Sequence, residues 1–184
     1  MVFCISRCVV ALETEYTYIY RSQEEPLIAA ENENDYIDIE LINKDFKKIS
    51  TVYDCIVVDG EAGILSPIAP VTQTSDIIKK MQTPTLFTVE PDRDAINRAL
   101  TSINSAQEKG LSIRGVVINK ITENVPKELL TSMTRVIEEY SGVNIVGLLP
   151  YLKGKIAPEE LISTILNGID VESVFGVKIE KLDF

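Results

Sequence analysis

From position 39 onward the apolar residues switch between two spacings. Ile39, Ile42, Phe46 and Ile49 recur three and four apart with Lys44, Lys47 and Lys48 elsewhere, which predicts one helix with a buried stripe, and Asp38 stands ready to cap it. Cys55 to Val58 is a short run rich in β-branched residues and bounded by polar signals, the pattern of a strand buried on both faces of a parallel sheet. Ser75 or Asp76 opens a short helix carrying Ile77, Ile78 and Met81, and Thr85 to Glu90 reads as the next strand. A helix from about Asp92 to Lys109 places Ile96, Ala99, Leu100, Ile103 and Ala106 on one face, and Gly110 stops it. Ile113 to Asn119 is another buried strand. Pro126 then starts a helix with Leu129, Leu130, Met133, Val136, Ile137 and Tyr140 inward, closed by Gly142. Asn144 to Leu149 is a further strand, and Ala157 to Leu166 one more helix.

Alternating strands and helices imply right-handed crossovers. The fold class is therefore α/β, a three-layer sandwich with a mostly parallel central sheet, in a single domain spanning residues 1–184 without a visible repeat or linker. Before position 39 the pattern is weaker. Met1 to Leu12 is apolar without a clean period, so helix and strand both remain open. Tyr16, Tyr18 and Tyr20 alternate with Thr17 and Ile19, which suggests a short extended piece that packs its rings ahead of a turn at Pro26. Glu31 to Asp38 reads as an acidic loop, and Val171 to Phe184 carries no assignable pattern.

Composition narrows the chemistry. The 184 residues carry no histidine, which removes Ser-His-Asp and Cys-His catalysis and His-ligated zinc together. Cys4, Cys8 and Cys55 are an odd set without a neighbouring His, and their two readings are burial and a metal or redox role. The net charge of −10 argues against nucleic acid or an anionic membrane as the main partner. No apolar run approaches the roughly 18 residues of a membrane span. Arg7 interrupts the apolar start, so the expected location is cytoplasmic.

The candidate chemistry begins at Asp59, where the run Cys55 to Val58 ends. Gly60, Ala62 and Gly63 keep the backbone after it bare, and ligands of open α/β sheets collect at the carboxyl ends of strands. An acid there is a candidate metal or phosphate position; an ordinary turn is the alternative. Further landmarks follow in order: EPLIAAE (Glu25 to Glu31), VVDGEAGILSPI around Asp59, DAIN (Asp94 to Asn97), GVVINKI (Gly115 to Ile121) and GLLPYL (Gly147 to Leu152). In that order the run from Tyr20 to Leu152 resembles dethiobiotin synthetase, a family with the P-loop-NTPase-like fold that closes a ureido ring on 7,8-diaminopelargonic acid with carbon dioxide and ATP.

The resemblance implies specific roles. Asp59 stands where the family has a magnesium-binding Glu, and a hard cation accepts either acid. Asn119 stands where the family's Asn reads adenine, an amide being able to donate and accept together. Pro150, Tyr151 and Leu152 would line the purine pocket with their main chain, with Glu159 as a further candidate. Ala95, Ile96 and Asn97 sit where the family receives the substrate carboxylate at a helix start, across the interface of a homodimer. Mg2+ and ATP are the implied cofactors.

The sequence also departs from the family. A phosphate-binding loop of the form G-x-x-x-x-G-K-S/T does not occur in it, and its one Gly-Lys pair, Gly154-Lys155, is followed by Ile156. An N-terminally truncated or degenerate relative is the expectation, with Met1 to Leu12 filling the vacated strand position. Asp94 replaces a glycine ahead of the substrate-carboxylate position, and Glu61 replaces a small residue beside the phosphate path, so both add repulsion for an anion. Little ATP turnover is expected. The alternatives are a non-catalytic dimeric nucleotide-binding or regulatory module, and a fragment of a split or longer enzyme.

Overall fold

The computed structural model describes residues 16–22, 24–53, 56–60 and 63–176, and the expectation for Met1 to Leu12 lies outside them. The chain divides into two compact units, residues 1–83 and 84–184.

In the first unit, helix α1 (Pro26–Asn32) begins at the proline that the sequence suggested as a turn. Its fixed φ and missing N–H suit the first helical position, and the helix buries Ala29 and Ala30. Helix α2 (Ile39–Ser50) follows with the expected cap: Asp38 accepts from the N–H groups of Glu40 at 2.8 Å and Leu41 at 3.4 Å. Strands β1 (Pro67–Ala69) and β2 (Thr72–Gln73) form a small antiparallel hairpin. Helix α3 (Thr74–Met81) starts one residue ahead of expectation, with Asp76 accepting from the Gln73 N–H at 2.7 Å. Ala30, Ile37, Ile42, Ile68 and Ile77 form the core of this unit, with Tyr18, Tyr20, Ile39 and Met81 packed on it. The Tyr18 and Tyr20 rings stack with centroids 6.2 Å apart, consistent with a packing role.

The strand expected at Cys55 to Val58 is a correction. Ile56 to Gly60 takes no regular structure, and Val57 is 46% exposed. A β-branched run becomes a strand only where a neighbour supplies ladder hydrogen bonds, and no strand among the described residues pairs with it.

The second unit carries the expected alternation: β3 (Thr85–Val89), α4 (Ala95–Glu108), β4 (Ile113–Ile121), α5 (Lys127–Ser141), β5 (Ile145–Pro150), α6 (Pro158–Gly168) and α7 (Val171–Phe175). The three strands lie in the order β3-β4-β5, all parallel. Val116 and Ile118 face a core shared with Ala95, Ala99 and Ile103 of α4 and Met133 and Ile137 of α5. Val117 points to the opposite face by strand alternation and is equally inaccessible, so both faces of the central strand are covered. The inward stripe of α5 is narrower than its sequence suggests. It centres on Leu130, Met133, Ile137 and Ser141, which leaves Leu129 and Tyr140 on its exposed edge.

Helix α6 docks on β5 through two glycines. A Cβ on Gly147 would stand 2.9 Å from the Gly168 carbonyl oxygen, and one on Gly168 would stand 2.7 Å from that of Leu148. The close approach lets the Asp170 N–H donate to the Val146 carbonyl at 2.8 Å. No helix among the described residues is long and apolar enough to cross a membrane.

Candidate functional site

The carboxyl end of the three-stranded sheet carries Asn119 near the end of β4 and Pro150 to Leu152 at and just beyond the end of β5. Register places Val89 beside Ile118 and Ile118 beside Leu148, but the next pairing joins Ile121 to Pro150, so β4 spends one residue more than β5 over this step. That extra residue is a bulge, a device that bends a strand and re-aims a side chain. Lys120 takes up the distortion at φ 55°, a left-handed conformation that a non-glycine residue adopts at a cost of about 1–2 kcal/mol.

The bulge fixes Asn119. Its Oδ1 accepts from the Lys120 N–H at 2.8 Å, while the Tyr151 N–H donates to the Ile121 carbonyl at 2.9 Å and ties the segment after β5 to the end of β4. The Lys120 ammonium crosses to the end of β3 and pairs with the Glu90 carboxylate. That hydrogen bond, then the charge of Glu90 and more weakly Tyr151, holds the ammonium pKa above its ordinary value. Asn119 and Leu152 are half-buried, whereas Glu90, Lys120, Pro150 and Tyr151 are exposed. Such a rim presents donors and a fixed amide to a ligand lying across the strand ends.

A family model described as an AAA domain matches residues 9–159. Proteins named ATP-dependent dethiobiotin synthetase are also similar to the chain. The chain is 32% identical to the one from Akkermansia muciniphila over 66% of this chain and 57% of that one. It is 25% identical to the one from Clostridium acetobutylicum over 89% and 69%, and 29% identical to the one from Brachyspira hyodysenteriae over 72% and 61%. The chain belongs to the dethiobiotin synthetase family, within the P-loop NTPase superfamily. It spans 57% to 69% of the length of these three relatives. Among solved structures it resembles the MinD cell division protein of Aquifex aeolicus, with TM-score 0.52 and 21% identity over 78% of this chain and 63% of that one, a likeness of fold.

The other residues that the family resemblance singled out fall in several places. Ala95, Ile96 and Asn97 form the first turn of α4: Ala95 is inaccessible, Ile96 half-buried and Asn97 exposed. A carboxylate of the chain itself already lies at this helix start. Asp92 accepts from the Asp94 N–H at 2.9 Å and is gripped by both Arg98 nitrogens, at 2.9 and 2.8 Å. Arg98, and then the Asp94 amide, hold the Asp92 carboxyl below its ordinary pKa. Glu159 sits exposed in the first turn of α6. Asp59 belongs to the first unit, in the irregular segment Ile56 to Gly60, where it is exposed and followed by a Gly60 with open space around it. No group of three or more acidic or cysteine residues able to hold a metal occurs among the described residues.

Sequence reasoning missed two pairs. Lys120 with Glu90 becomes visible only once β3 and β4 are known to be neighbours. Asp92 with Arg98 spans the helix start, outside the three- and four-residue spacings by which pairs within a helix are recognised.

Proposed function

We propose that this chain is a dethiobiotin-synthetase-like protein that binds a purine nucleotide at the carboxyl end of its parallel sheet and by itself turns over little ATP. The observation that carries this reading is Asn119, held by a bulge at the end of β4 with its amide oriented by the Lys120 N–H. In the proposed complex the base lies between Asn119 and the main chain of Pro150, Tyr151 and Leu152, with Glu159 completing the pocket. The tie from Tyr151 to Ile121 supports this, since it keeps the second wall in register with the first.

Asp59, in the first unit, is the proposed protein ligand for magnesium. It fits as an exposed carboxylate with open backbone after it, because magnesium is commonly held by one or two carboxylates together with phosphate oxygens and waters. When bound, the ion would neutralise phosphate charge. Phosphoryl transfer depends mostly on positioning and charge stabilisation, and the sequence contains no G-x-x-x-x-G-K-S/T loop to cradle the terminal phosphates. A ligand carboxylate at the start of α4 would meet Asp92 and Asp94, so 7,8-diaminopelargonic acid should bind there weakly at best. Two copies are proposed to meet along α4.

Titration calorimetry with ATP and magnesium, on the full chain and on Asn119→Ala, tests the reading beside a phosphate-release assay. Saturable binding that weakens roughly tenfold or more in the variant is expected, a loss in the range of one good amide contact to a base, with phosphate release at background. An absence of binding heat would remove the nucleotide reading. Robust magnesium-dependent turnover would remove the claim of inactivity.

A further inference from the structure

We infer that the apolar cleft beside α2, in the first unit, is the seat of this chain's own residues Met1 to Leu12, with the aliphatic run Val9 to Leu12 as the part that fills it. The cleft has a volume of about 340 Å3, and its apolar wall includes Phe46 and Ile49 of α2 together with Val52, Val58 and Met81. The spacing along α2 calls for a buried stripe, yet Ile42 is its one fully buried member. Phe46 and Ile49 are half-buried, and Val52, just past the helix, is 61% exposed. Large apolar side chains left open side by side mark a surface that something covers.

Chain connectivity selects the occupant. Tyr16 and Thr17 line the cleft themselves, and the Thr17 hydroxyl donates to the Asp45 carboxylate of α2 at 3.1 Å, so the chain is moored at the cleft where the described residues begin. Leu12 stands four residues earlier in the sequence and, at about 3.3–3.6 Å of reach per residue, lies no more than about 14 Å from Tyr16. A tether this short holds the run at an effective concentration on the order of millimolar, about a thousandfold above a second copy present at micromolar concentration. The chemistry agrees. Val9, Val10, Ala11 and Leu12 carry no polar side-chain group, and the cleft does not call for one: the buried polar atoms without a partner among the described residues, on Asn43, Ser75 and Thr85, all lie outside its lining. Asp59 follows Val58 directly, so seating the run against Val58 also fixes where the candidate magnesium ligand stands.

The test is nuclear Overhauser spectroscopy on the full chain with its valine and leucine methyl groups isotope-labelled. The methyl groups of Val9, Val10 and Leu12 should show cross-peaks to the Phe46 ring and to the methyl groups of Val52 and Val58. Cross-peaks from these three residues to another surface, or none to the cleft, would overturn the inference. A sample that mixes two differently labelled populations separates the occupants: cross-peaks between the populations would put a second copy in the cleft and would overturn it as well. Independently, Val9→Asp combined with Val10→Asp brings a charge to whichever of the two faces the cleft, and should shift the urea midpoint of the first unit downward. An unchanged midpoint would contradict the cover. If the doubly substituted chain does not fold, the methyl contacts of the parent chain still decide.

Discussion

Replacing Gly147 with alanine tests the joint that sets the far wall of the proposed pocket. The new methyl group would lie 2.9 Å from the Gly168 carbonyl oxygen, 2.9 Å from Ile169 Cγ1 and 3.2 Å from Ile169 Cα. Two of these three atoms are backbone, so no side-chain rotation relieves the clash and the end of α6 must move off β5. Overpacking of this kind costs about 1–3 kcal/mol. Displacement also strains the hydrogen bond from Asp170 N–H to Val146 carbonyl, 2.8 Å long, worth about 0.5–1.5 kcal/mol. A loss of about 2–4 kcal/mol in urea unfolding of the sheet-bearing unit is therefore expected, together with weaker nucleotide binding as the segment after Pro150 shifts. Gly168→Ala should behave alike, its methyl standing 2.7 Å from the Leu148 carbonyl oxygen. A Gly147→Ala protein within about 0.5 kcal/mol of the parent would refute the argument that close approach fixes α6 on β5.

Other consequences can be checked separately. Asp38→Ala removes the acceptor for the Glu40 and Leu41 amides and should cost about 0.5–2 kcal/mol, read by urea unfolding of the first unit. Met133→Ala empties a site that is 1% exposed in the core between α5 and the sheet, and should cost about 2–5 kcal/mol by the same assay. The Tyr20 phenol is pushed up to about 12, first by burial and then by its hydrogen bond to Asp35, so its contribution to stability is complete below pH 10 and lost as pH rises through about 12. A tyrosinate titration should show a late-ionising ring that Tyr20→Phe removes. Asp92 has the opposite sign: its lowered carboxyl pKa adds stability above the ordinary value of 3.8, which is lost as pH falls through the folded value. Carboxyl resonances followed by NMR should show that Arg98→Gln moves Asp92 back toward its ordinary range.

The second unit was legible because each of its elements buries an apolar pattern against a neighbour also present. Thr85 to Val89, Ile113 to Ile121 and Ile145 to Pro150 pair with one another, so their β-branched runs became strands where expected. Ile56 to Val58 has the same kind of sequence without a paired strand among the described residues, and composition alone did not make it a strand. Pro26 misled in another way: proline punctuates turns and opens helices, and only the burial of Ala29 and Ala30 decides for the helix. At the candidate site, Asn119 and the segment Pro150 to Leu152 could be picked out from the family resemblance. The bulge could not, because a register shift belongs to two strands and is encoded in neither alone. The Glu90 to Lys120 bridge was hidden for the same reason.

Chemical-shift mapping on isotope-labelled full-length chain, with a purine triphosphate and magnesium added stepwise, is the most direct test of the proposed site. The Asn119 side-chain amide and the backbone amides of Lys120, Tyr151 and Leu152 should move together and saturate along one binding curve. Saturation with those four signals still and a different surface responding would contradict a nucleotide at the end of β4.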